Sequence, residues 1–139
     1  MKSNHIFEKF VVGLCICVAS LAAYSQSMTV NLSGGQEVPP VITSATGVGS
    51  ITVGPDGSLS GTIVTKGVEG TMAHIHEAPM GQNGPVIVPF TKTSDDVWSA
   101  PAGARLTAAQ LQSLQSGNLY LNVHSAANKP GEIRAQLKP

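Results

Sequence analysis

The stretch Ala45-Thr46-Gly47-Val48-Gly49-Ser50-Ile51-Thr52-Val53-Gly54-Pro55-Asp56-Gly57-Ser58-Leu59-Ser60-Gly61-Thr62-Ile63-Val64-Thr65 decides the fold class. Small and β-branched residues fill both flanks, and Gly54-Pro55-Asp56-Gly57 supplies a turn between them. The flanks therefore read as the two strands of a hairpin. Working outward, Gly, Pro, Asn or Asp interrupts the chain about every eight to twelve residues, the spacing of a sandwich or barrel of short strands. Further strands are predicted at Met28–Leu32, Thr71–His76, Pro85–Phe90, Asp95–Trp98, Asn118–His124 and Glu132–Leu137. One helix is predicted over Ala108–Gln115, capped by Thr107 and stopped by Gly117, with Leu111 and Leu114 on one side. The expected fold is all-β, an antiparallel Greek-key-like β-sandwich with one short helix.

Before these strands the composition changes. Lys2 and Lys9 flank a short polar start, an apolar run extends from Phe10 to Ala23, and Ala23-Tyr24-Ser25-Gln26 turns small and polar. That order matches a secretory signal peptide, and the run is shorter than the roughly 20 apolar residues a bilayer crossing takes. The reading is a signal peptide over residues 1–25 and one domain over 26–139, exported to the periplasm or the extracellular space. Cleavage after Ser25 of the 139-residue chain leaves 114 residues, enough for one core. Cys15 and Cys17 both fall in the signal segment, so the remaining domain has no thiol and no disulfide. No later segment is apolar enough to span a membrane.

Formal net charge is zero and only 12% of residues are charged, with no basic run. That argues against nucleic acid, whose phosphates demand clustered Lys and Arg. A metal ion, a small ligand or a protein partner is the expected class.

Of four histidines, His5 leaves with the signal segment and His74, His76 and His124 remain. Residues two apart on a strand share a face, so His74 and His76 present paired imidazoles while Ile75 points to the core. His124 ends another strand. Three imidazoles converging at one rim would suit copper or zinc. Two solvent-facing histidines at this spacing would also arise without a ligand, and only the fold can bring His124 to the others. Glu132 and Glu77 are the nearest carboxylates, each a fourth ligand or an acceptor that orients an imidazole. Glu132 is equally suited to pair with Arg134 on the same strand face.

Other chemistries are poorly served. Ser125 follows His124 directly, and adjacent strand residues point to opposite faces. Asp95-Asp96 sits in a turn-like context. Gly81-Gln82-Asn83-Gly84 leads into a strand rather than a helix, so it is no phosphate cradle.

These same residues carry a resemblance. Leu32-Ser33-Gly34-Gly35-Gln36-Glu37-Val38-Pro39-Pro40, then His74-Ile75-His76 with Gly81-Gln82-Asn83-Gly84-Pro85-Val86, then Asn118 to Asn128 and Gly131 to Leu137, resemble in order the opening, central and closing motifs of the CHRD (chordin-type) domain. The helical segment from Leu106 to Gly117 falls where that family has a Leu-Thr-x-x-Gln-like stretch. Ser125 stands where the family usually has Thr, Lys129-Pro130-Gly131 where it has Pro-Gly-Gly, and Ala135 where it has Gly; no histidine is affected. The resemblance implies an extracellular fold, as in chordin, an antagonist of growth factors, and in short exported bacterial members. A more distant likeness joins His74-Ile75-His76 and its Gly-rich loop to the copper strand of copper/zinc superoxide dismutases, without their further histidines, zinc loop or disulfide.

Three functions are therefore expected in descending order. The first is a non-enzymatic exported domain binding copper or zinc through His74, His76 and His124. The second is a structural or adhesive interaction module whose histidines form a hydrogen-bonded corner. The third is a dismutase-like copper enzyme.

Overall fold

The computed structural model describes residues 24–139. Residues 1–23, which carry most of the expected signal segment with His5, Cys15 and Cys17, lie outside the described residues.

Nine strands form in chain order: β1 (Gln26–Ser33), β2 (Thr46–Val53), β3 (Leu59–Lys66), β4 (Gly70–Glu77), β5 (Val86–Pro89), β6 (Thr91–Ser94), β7 (Val97–Ser99), β8 (Leu119–Ser125) and β9 (Ile133–Leu137). The expected hairpin is β2–β3, with Val53 opposite Leu59 across the turn. Among the described residues one α-helix, α1 (Ala108–Gln115), has the expected Thr107 cap, reinforced by the Gln110 side chain, which accepts from the Thr107 N–H. Gly117 follows it at φ +71°, a left-handed conformation that costs glycine least.

All strands belong to one sheet in the order β5-β4-β8-β9-β1-β2-β3-β7-β6, each paired antiparallel. The all-β antiparallel class is as the sequence predicts, and the two layers of a sandwich are here two walls of one continuous sheet. The terminal strands β5 and β6 are separated only by Phe90, whose N–H donates to the Ala73 carbonyl of β4. One bent segment thus pairs with β4 through its first half and with β7 through its second, and the sheet nearly closes on itself. The β3–β4 and β7–β8 connections join strands that are not neighbours, giving the Greek-key character. The expected strand at Asp95 begins later: Asp95 and Asp96 form the turn between β6 and β7.

Alternation fills the interior. Ile51, Ile63, Ala73, Ile75, Leu119, Leu121, Val123, Ile133, Ala135 and Leu137 are buried in one apolar cluster, and Leu114 of α1 joins it. Burying a Leu or Ile side chain of this kind stabilises by about 1.5–3 kcal/mol. Gly49 lets the walls approach, because a Cβ there would lie 2.4 Å from Leu121 Cδ1.

Candidate metal centre

Strands β4, β8 and β9 lie side by side, and their registers put two kinds of residue on opposite faces. Inward point Ala73, Ile75, Leu121, Val123, Ile133 and Ala135. On the other face His74 pairs with Asn122 and Asn122 with Arg134, while His76 pairs with Tyr120 and Tyr120 with Gln136. His124 continues the Tyr120-Asn122 row along β8. A strand whose outer residues are polar normally meets solvent there. Here every residue of β8 and β9 is buried.

Three connecting loops make the cover, two of them held by the outward side chains and the third joined to one of these. His76 Nδ1 lies 2.9 Å from the Gly84 carbonyl, and His124 Nδ1 lies 2.7 Å from that of Lys129. Arg134 donates to the Gln82 carbonyl and Asn83 Oδ1. Asn83 Nδ2 reaches across to the Val38 carbonyl at 2.7 Å, joining the loop after β4 to the loop after β1. Tyr120 Oη accepts from the Gly84 N–H.

Under this cover the structure brings His74, His76 and His124 together, with one nitrogen of each within 4.8 Å of the others. His74 Nδ1 and His124 Nε2 are 3.0 Å apart. Two β-bulges bracket the group, one at Ile75/His76 against β5 and one at Gly70/Met72 against β8. Bulges re-aim side chains at functional edges of sheets, and these flank the strand that carries two of the three imidazoles.

The hydrogen bonds fix the tautomers. Facing a carbonyl, Nδ1 of His76 and of His124 must carry the proton, so each Nε2 is an acceptor, and that of His124 takes the His74 Nδ1–H. His76 Nε2 is buried without any partner. Burial, with the neighbouring His124 and His76, pushes His74 down to about 4. Burial also holds His76 below its ordinary value. Both are therefore neutral at pH 7, the form in which imidazole ligates a metal.

The carboxylates stand apart from this group. Glu77 accepts from Ser113 Oγ of α1. Glu132 accepts from Thr43 Oγ1 at 2.8 Å, and hydrogen bonds from Ser125, Thr43 and Asn128 draw its carboxyl below the ordinary value against the opposing effect of burial. The Glu132–Arg134 pairing does not form. Arg134 instead lies over Tyr120, its Cζ 3.5 Å from the ring centroid. Tyr120 in turn stacks on His76 at 4.8 Å with the ring planes 5° apart.

Sequence reasoning missed Tyr120, Arg134 and Glu37 as parts of this site. The signal for the first two was present: Tyr120, Asn122, His124, Arg134 and Gln136 share the strand phase that selects the histidine face. Glu37, 4% exposed, comes from the loop after β1, where no periodicity points to it.

A family model described as CHRD domain matches residues 28–137. No curated protein and no solved structure matches the chain.

Proposed function

The chain belongs to the CHRD domain family, and from that premise we propose that it is an exported, non-enzymatic domain that binds one copper or zinc ion through His74, His76 and His124. In this reading residues 1–25 are removed as a signal peptide and residues 26–139 form the working domain. Among the described residues, no helix is long and apolar enough to cross a membrane.

The observation that carries the proposal is the buried, partnerless Nε2 of His76. A buried acceptor without a donor costs about 1–3 kcal/mol, and a metal ion would relieve it. The donor set fits. Zinc–nitrogen bonds of about 2.0–2.1 Å in tetrahedral geometry put ligand nitrogens about 3.3–3.4 Å apart. His74 Nδ1 and His124 Nε2 already stand at 3.0 Å, and no pair exceeds 4.8 Å. Imidazole serves copper and zinc alike, and at equal supply Cu²⁺ binds the tighter. A remaining position falls to water. For Glu132 or Glu77 to ligate, each would first have to release its hydroxyl partner, Thr43 or Ser113.

Calorimetric titration with Cu²⁺ and Zn²⁺, beside the His74→Ala/His76→Ala variant, tests this. One equivalent bound with submicromolar affinity, lost in the variant, is the expected result, with no superoxide turnover by the copper-loaded protein. A second reading, a structural or adhesive module, draws on the direct His74–His124 contact, which closes the corner without a metal. No binding to either protein, with a large loss of thermal stability in His124→Ala, would establish that reading instead.

A further inference from the structure

Between the loop after β1 and the loop after β4 lies a cavity of ≈390 Å³. Pockets of about 300–1,000 Å³ are the size that takes small ligands. Val38, Pro40 and Met80 line it with apolar surface, while Glu37, Arg134 and Gln136 supply its polar groups.

Arg134 is 1% exposed. Among the described residues it makes no ion pair; the one ion pair there joins Arg105 to Asp56. A buried guanidinium without a counter-ion is costly. Three of its five N–H groups go to Gln82, Asn83 and Gln136. The Nε–H and one Nη2–H are left, and a carboxylate accepts from two such neighbouring groups at once. Glu37 does not supply the missing charge in full, since burial pushes its carboxyl up to about 7. At slightly acid pH the cavity therefore holds one net positive charge amid apolar walls.

We propose that this cavity binds a small monocarboxylate with an apolar body, its carboxylate received by Arg134 and its body by Val38, Pro40 and Met80. The proposal is independent of the metal reading.

An isotope-edited NMR titration at pH 6, with a chelator present so that no metal takes part, uses benzoate as the probe and benzamide as its neutral counterpart. Saturable shifts at the Val38, Gly81 and Arg134 amides are expected with benzoate, and binding of benzamide at least tenfold weaker. Arg134→Gln should abolish the benzoate shifts. Because Arg134 is buried, Gly35→Leu gives a second variant: Gly35 lines the cavity, and a Cβ there would meet no heavy atom within 4 Å. That variant should keep the fold and weaken benzoate binding at least tenfold. Absence of saturable benzoate shifts, equal binding of benzamide, or unchanged binding in Gly35→Leu would each overturn the proposal.

Discussion

The wall formed by β4, β8 and β9 and the wall formed by β1, β2 and β3 are built from the same alternation yet end in different environments. Inward, both present Val, Ile, Leu and Ala to one core. Outward, β2 and β3 meet solvent: Val48 and Val64, opposite each other, are both exposed. The outward residues of β8 and β9 are Tyr120, Asn122, His124, Arg134 and Gln136, all buried under loops. Period-two patterning assigns a residue to a face, but it does not say whether that face is wet. Polar side chains on the covered wall are committed to named backbone partners, whereas those on the open wall can trade partners with water.

The sharpest way to break this comparison is to truncate one outward residue on each wall. Arg134→Ala removes the stack on Tyr120, strands the buried Gln136 Oε1 and takes the shared donor from Gln82 and Asn83. We expect it to cost on the order of 3–4 kcal/mol in urea unfolding. Val64→Thr on the open wall should stay within about 0.5 kcal/mol. Equal losses would mean that the two outer faces do not differ energetically.

A somewhat smaller effect should appear as pH dependence that only the covered wall confers. Glu37 is pushed from 4.5 to about 7, first by burial, with the Arg134 charge and the Asn122 hydrogen bond pulling the other way. Between those values the folded chain holds a proton that the unfolded chain has released. Its contribution is therefore full below pH 4.5 and is lost as pH rises through 7, by up to about 3 kcal/mol. From pH 5 to pH 8 the buried, neutral His74 and His76 raise stability in both proteins, so the unfolding free energy of Glu37→Gln should rise relative to that of the native protein by the amount Glu37 loses; identical pH profiles would refute the assignment.

The smallest expected effect sharpens the link between cover and histidines. A Cβ on Gly84 would come within 1.9 Å of the Glu77 carbonyl oxygen, so Gly84→Ala must move the carbonyl that orients His76. Loss of such an orienting partner weakens metal binding about 10–100-fold. Calorimetry with Zn²⁺ on this variant measures it, and native affinity would show that the Gly84 carbonyl plays no orienting part.

Much of this was legible in the sequence. Turn residues between short β-branched runs give the hairpin, the strand phase of His74 and His76 gives their shared face, and Thr107 with Gly117 brackets the helix. Closure was not legible, because the strand expected over Pro85–Phe90 reads as ending there, although the chain continues through Phe90 directly into β6. Nor was the cover. Its anchors are carbonyls of Gln82, Gly84 and Lys129, and a backbone carbonyl has no signature in the residue type that bears it. His124 could be named as a candidate but not brought to the other two, since a separation of some fifty residues is crossed only by the β4–β8 pairing.

The bent segment that serves as both β5 and β6 bears on how this chain behaves among its own copies. A sheet with long free margins invites backbone pairing by a neighbouring chain, the first step of strand-swapped dimers and fibrils. Here each margin is four residues long, and Pro85 and Pro89, which have no N–H to offer, punctuate one of them. The folded domain gives such growth almost no template, without relying on the repulsion of a strong net charge.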